Sequence, residues 1–227
     1  MKKSFLFTIF VILFITLFCI LGTWQLYRLQ WKQDLISEIN YGLNSTPIKY
    51  SKKINKNYQR VVSEGKYDFN NQIYLYSLNE KGQPGFDVIT PFETIEGENI
   101  LINRGWINRQ LKNKPKINVT EKKIQGLLKK NAKKNMFKPK NNIKKNIWFS
   151  INLEEVKKVT GKNYTDFIVY LENTETDVPS PKKITINVPN NHLKYAITWY
   201  SISISILFYF LYFRRTQWII LVQEIRI

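Results

Sequence analysis

Two uncharged apolar runs bracket this chain, and between them they set its architecture. Phe5–Gly22 is 18 residues, about 27 Å of helix at ~1.5 Å per residue, close to the ~30 Å hydrocarbon core of a bilayer. Tyr195–Phe213 is 19 residues, about 28 Å by the same arithmetic. Both runs meet belt aromatics, Trp24 and Tyr27 after the first, Tyr195 and Trp199 in the opening turn of the second. The layout this predicts is a hairpin of two membrane helices, with both termini on one side and the middle of the chain on the other.

Lys2 and Lys3 could serve as the n-region of a signal peptide, but the first run exceeds a usual h-region and no A-x-A-like site follows it. Bulky residues follow instead, Trp24-Gln25-Leu26-Tyr27, so the run is expected to be an uncleaved anchor. Cys19, the single cysteine, lies inside the run behind Phe18 rather than a small residue, which argues against lipid attachment. A lone cysteine also excludes an intramolecular disulfide.

The formal charge of +18 comes mostly from lysine, since only seven of the 35 basic residues are arginine. Abundant Lys, Asn and Ile are what an AT-rich genome produces without selection for a basic surface. Nucleic-acid binding calls for arginine and clustered aromatics, and is not expected here. Lys2, Lys3, Arg214 and Arg215 flank the outer ends of the runs, against Arg28, Lys32 and Lys194 on the inner side. That is a mild preference for cytoplasmic termini.

The fold class expected is α+β: two transmembrane helices flanking one extracytoplasmic domain with a mainly antiparallel sheet or partly closed barrel. The boundaries are 5–24 for the first membrane helix and 25–40 for its juxtamembrane continuation, ended by Tyr41-Gly42. They continue with 41–188 for the domain, 192–213 for the second membrane helix and 214–227 for a cytoplasmic tail. Strand patterns fall at 58–69, 72–78, 86–93, 99–107, 122–129, 166–172 and 183–188, separated by turn signals such as Asn70-Asn71 and Gly82-Gln83-Pro84-Gly85. Asn152 with Glu155 forms a capping box for a short helix that Gly161 stops. The stretches 108–120 and 129–146 read as Lys/Asn-rich loops, and Gly105 as a bulge or turn ending a strand.

Few residues can carry chemistry. No Cys and only one His lie outside the apolar runs, so a zinc site of usual composition cannot be built. There is no phosphate-cradling glycine loop and no G-x-S-x-G, and nothing argues for an enzyme. The one histidine, His192, follows Pro189-Asn190-Asn191, a helix start with either asparagine as N-cap. The positive end of a helix disfavours imidazolium, and the neutral ring is the form that binds metal. Ala196 lies one turn on, with Tyr195 and Trp199 beside it, a slot at interface depth that suits a flat amphipathic ligand such as haem. The plainer alternative is a polar residue that anchors a helix end. Trp24, Arg28 and Trp31 share a face of the first helix. Arg28 can lie on an indole or pair with a ligand carboxylate, or the trio can be a belt with a snorkelling arginine. Thr198, Ser201 and Ser205 form a row of small polar residues that suggests contact with the first helix or with another membrane subunit.

Four segments in this order, inside a two-helix frame, resemble the Surf1 family of cytochrome oxidase assembly factors. They are Leu21-Gly22-Thr23-Trp24-Gln25-Leu26-Tyr27-Arg28, Gly85-Phe86-Asp87-Val88-Ile89-Thr90-Pro91-Phe92, Leu101-Ile102-Asn103-Arg104-Gly105-Trp106-Ile107 and Asn191-His192-Leu193-Lys194-Tyr195-Ala196-Ile197-Thr198-Trp199-Tyr200. The resemblance implies a non-enzymatic helper in maturing haem–copper cytochrome c oxidase, acting at haem a supply or insertion into the catalytic subunit, with haem a synthase as a second partner. It also implies a haem-associated histidine at the start of the second membrane helix, here His192; the residue chemistry above adds Trp24, Arg28, Tyr195 and Trp199 as the expected surroundings of the cofactor. An anchor that begins at residue 5 without an Arg/Ser-rich presequence fits a bacterial plasma membrane better than an imported protein. The alternative is a structural anchor that scaffolds an inner-membrane complex without a cofactor.

Overall fold

The computed structural model describes residues 2–113, 123–132, 137–172, 178–182, 184 and 189–225. Its backbone divides into two units, Met1–Ser37 with Asn187–Ile227, and Glu38–Ile186. The strand expected at 183–188 lies outside the described residues, apart from residue 184.

The first unit holds most of helix α1 (Lys2–Asn44) and all of α3 (His192–Ile225). Both are long and apolar enough to cross a membrane. The first runs past the stop expected for it. α1 continues through Tyr41-Gly42 to Asn44, and α3 stays helical through residues 214–225. Gly42 is there for a different reason: a Cβ would sit 2.0 Å from the Tyr58 carbonyl oxygen, so glycine allows a close backbone approach.

The second unit is a seven-stranded mixed sheet with a short helix. The strands are β1 (Ile48–Lys49), β2 (Arg60–Tyr67), β3 (Ile73–Leu78), β4 (Pro84–Thr94), β5 (Asn99–Asn108), β6 (Lys123–Lys130) and β7 (Phe167–Leu171), in the order β1-β2-β6-β7-β5-β4-β3. β2 also pairs antiparallel with β4, through Gly65–Tyr67 against Phe92–Thr94. Most pairs are antiparallel, but β1–β2 and β5–β7 are parallel. The two-residue β1 carried no alternation for a sequence pattern to catch.

β5 is the centre of the packing. Its Ile100 and Ile102 enter one apolar cluster with Val61, Phe92, Ile124, Leu128 and Val169. Leu101, pointing the other way, joins Ile73, Ile89, Trp148, Val156 and Ile168 in a second. Both faces of β5 are therefore buried, which explains the unbroken apolar run Ile100-Leu101-Ile102. The second cluster is covered by Trp148, Ile151 and Val156, the last on helix α2 (Leu153–Thr160). Asn152 caps α2 by accepting from the N–H groups of Glu154 and Glu155, and Gly161 ends it in the left-handed region at φ 73°. Only half of the expected box forms, because the Glu155 carboxylate accepts from Asn141 instead.

Gly105 does make a bulge, but inside β5 rather than at its end. Asp87 pairs with Trp106 and Ile89 with Asn103, so β5 spends three steps where β4 spends two.

Candidate functional site

In the helix unit, the less exposed positions of α1 include Val11, Ile15, Phe18, Gly22 and Gln25, a stripe at helical spacing. Facing them are Ala196, Trp199, Tyr200 and Ser203 of α3. Ser203 Oγ lies 3.2 Å from Cys19 Sγ and donates to the Ile15 carbonyl at 3.3 Å. The Tyr200 hydroxyl meets Thr23 Oγ1 at 2.9 Å. A Cβ on Gly22 would lie 2.9 Å from the Tyr200 ring, so this glycine lets the two helices come close. Nearer the inner ends, Lys32 Nζ donates to the Pro189 carbonyl.

His192 closes this row. The Asn191 carbonyl accepts from the Tyr195 N–H at 3.2 Å, which makes Asn191 the N-cap and His192 the first helical residue. His192 Nδ1 lies 2.7 Å from Gln25 Oε1. With that oxygen accepting, the ring proton is on Nδ1 and the Nε2 lone pair is left for another partner. Among the described residues Nε2 has no hydrogen bond. Asn190 Oδ1, two residues away, is buried without a hydrogen-bond partner among the described residues.

The other candidate residues fall in several places. The Arg28 guanidinium lies over Trp31, with Cζ 4.3 Å from the ring centroid, the cation–π option of the three considered. Trp24 and Tyr195 are 52% and 54% exposed. Trp199 stacks on Phe18 of α1, centroids 5.6 Å apart and planes 14° from parallel. Ala196 is 1% exposed, covered rather than open beneath the histidine. Thr198, Ser201 and Ser205 do not face α1. All three are exposed, and Thr198 and Ser205 donate to the carbonyls one turn back, at Lys194 and Ser201. The buried hydroxyl is Ser203, one register over. Gln25 was not singled out from sequence, although its place three residues after Gly22 puts it on the packed stripe.

In the sheet unit, the segments that carried the family resemblance supply a buried polar network. Asp87, 3% exposed, accepts from Lys182 Nζ at 3.0 Å and from Asn103 Nδ2 at 3.4 Å. Thr90 and Arg104 both donate to Gln72 Oε1, and the Arg104 guanidinium lies over the rings of Phe69 and Tyr67. Lys129 lies over Tyr170, and burial, reinforced by nearby Lys182, holds its ammonium below the ordinary lysine range.

Burial, with the Asp87 charge adding to it, pushes the Tyr170 phenol up to about 12. An unfolded tyrosine ionises near ~10, so above that pH the unfolded chain loses its proton first. Stability from this group is therefore complete below pH ~10 and is lost as pH rises toward about 12, on the order of 3 kcal/mol in all. Tyr170→Phe should lessen the alkaline fall in melting temperature of the detergent-solubilised chain. Equal losses in the two proteins between about pH 9 and pH 11 would show that Tyr170 ionises normally.

A model of the SURF1 family matches residues 12–204. The chain belongs to the SURF1 family. The SURF1-like protein of Rickettsia conorii is 32% identical over 225 residues, covering 95% of this chain and 92% of the relative. Surfeit locus protein 1 of Gallus gallus is 31% identical, covering 83% of this chain and 68% of that protein. Surfeit locus protein 1 of Homo sapiens is 26% identical, covering 81% and 69%. The SURF1 match spans Gln25, His192 and the Asp87 network, and stops before Arg214 and Arg215.

Proposed function

We propose that this SURF1 family member is a non-catalytic assembly factor for haem–copper cytochrome c oxidase, acting where haem a is passed to the catalytic subunit. The observation that carries the reading is His192, the single imidazole of the chain, standing at the first residue of α3 with Nδ1 taken by Gln25. A histidine fixed at one nitrogen by an acceptor offers the other as an axial ligand, the donor set that haem iron takes. Haem a is cargo here, and the chain's work is to hold and orient it. His192 Nε2 would bind the iron, the exposed rings of Trp24 and Tyr195 offer apolar faces, and Arg28 offers a donor for propionate carboxylates. Two residues before His192, the buried Asn190 Oδ1 is a polar atom with no partner among the described residues. The catalytic subunit of the oxidase is the receiving partner, and haem a synthase the supplying one.

The same reading puts residues 41–188 on the outer face of a bacterial plasma membrane with both termini in the cytoplasm. Its supports are the even number of spans, the basic residues at the chain ends and the Rickettsia relatives. The double pairing of β2, with β6 and β4, supports a partly closed barrel.

The test is an absorption spectrum of the detergent-solubilised protein purified from cells that make haem a. His192→Ala should remove or shift the Soret band without lowering protein abundance. His192→Met should keep some haem with an altered spectrum, since a thioether also ligates haem iron. An unchanged spectrum in His192→Ala sinks the assignment. One observation favours the second reading, a cofactor-free structural anchor: Trp199 and Ala196, expected to line the haem slot, are spent on packing against α1. A colourless wild-type protein from the same cells would decide for that anchor.

A further inference from the structure

We propose that Gln25 is a positioning residue for His192: its side-chain carbonyl oxygen fixes the proton on Nδ1 and aims Nε2 away from α1. This rests on the reading of His192 as an iron ligand. The 2.7 Å contact between Gln25 Oε1 and His192 Nδ1 joins the middle of α1 to the first residue of α3. An imidazole that ligates through one nitrogen needs its proton on the other, and an acceptor from the protein normally sets that choice. Here the acceptor arrives from a different helix, 167 residues away in sequence, so ring orientation depends on how α1 and α3 are aligned. Gln25 can do this because Gly22 and Tyr200, one turn deeper, bring the helices close enough for a side chain of its length to reach. A neutral amide suits the place, since a carboxylate at the membrane edge would carry a larger desolvation cost. Gln25 touches neither iron nor porphyrin in this scheme and acts only through the histidine.

His192 being the only histidine makes the test direct. The full chain, labelled with 15N-histidine and held in detergent micelles without haem, gives the ring nitrogen signals of one residue. The wild type should show the proton on Nδ1. Gln25→Ala should move it toward Nε2, whereas Gln25→Glu, which keeps an acceptor, should hold it on Nδ1. Haemin titrated into the same proteins should bind Gln25→Ala about tenfold or more weakly than wild type, the usual loss when the group behind a metal-bound histidine is removed. Gln25→Glu should restore most of that affinity, and Gln25→Met, which keeps the bulk without the acceptor, should bind as weakly as Gln25→Ala, which a purely structural role in helix packing would not predict. A wild-type proton on Nε2 overturns the proposal. So does haemin affinity that survives in Gln25→Ala but is lost in His192→Ala. Haemin binding that survives His192→Ala removes the ligation reading and this inference with it.

Discussion

Gly105→Ala should strongly destabilise the sheet unit, because the added methyl meets both backbone strain and a backbone clash. Gly105 has φ +127°, where an L side chain is strained, and a Cβ would lie 2.2 Å from the Ser180 carbonyl oxygen and 2.5 Å from its carbon. The obstacle is backbone, so no rotamer change relieves it. That backbone is also bonded in place, with the Trp106 N–H donating to Ser180 O at 2.7 Å and the Ser180 N–H donating back at 2.9 Å. Strain contributes about 1–3 kcal/mol and overpacking about 1–3 kcal/mol. Together they amount to a large share of the ~5–15 kcal/mol that usually holds a domain folded. Gly97→Ala is the control, because Gly97 has φ +77° but nothing within 4 Å of its Cβ. Thermal melts of both variants in detergent should separate them by roughly 5–10 °C, from ~2–4 °C per kcal/mol for a unit of this size. Equal melting temperatures would mean that Ser180 moves aside freely.

The second large effect is expected from Trp148→Ala. Trp148 is 1% exposed and fills the space between Ile73, Ile89, Leu101 and α2. Its backbone bonds on both sides, donating to Tyr74 O at 2.9 Å and accepting from Tyr76 N at 2.7 Å, so the emptied site cannot simply collapse. Removing a buried indole of this kind costs about 3–5 kcal/mol. Trp148→Phe keeps most of the volume and loses chiefly the 3.0 Å bond from Nε1 to Asn146, so its loss should be nearer ~1 kcal/mol. If the two variants melt together, the contribution of Trp148 is its hydrogen bond and not its bulk.

Local chemistry was legible in the sequence. The turn signals set β2 to β7 close to where they lie, and Asn152 and Gly161 mark the two ends of α2 because caps act within one turn. What was hidden depends on distant partners. Gly42 reads as a helix stop, yet its reason is the Tyr58 carbonyl packed against it. The parallel pairing of β5 with β7 needs a crossover that no local pattern announces. At the candidate site, His192 stood out by rarity, but Gln25 did not. Trp24, Arg28 and Trp31 drew attention as a face, while the face that meets α3 is one position over, through Gly22 and Gln25. Of the two neighbours the row Thr198, Ser201 and Ser205 suggested, α1 is not one: a hydroxyl can satisfy itself on its own helix, so its spacing does not say which neighbour it meets.

The polar contacts between α1 and α3 have a mechanical consequence. They run from Ile15 and Cys19 with Ser203, through Thr23 with Tyr200, to Gln25 with His192 and Lys32 with Pro189. Sliding one helix by a turn, about 5.4 Å, would break all of them together and set hydroxyls against methyl groups. Hydrocarbon holds no water to repair such a mismatch. Translation along the pair is thus opposed by every contact at once, like a key in its wards, whereas a swing or a parting of the helices breaks them one by one.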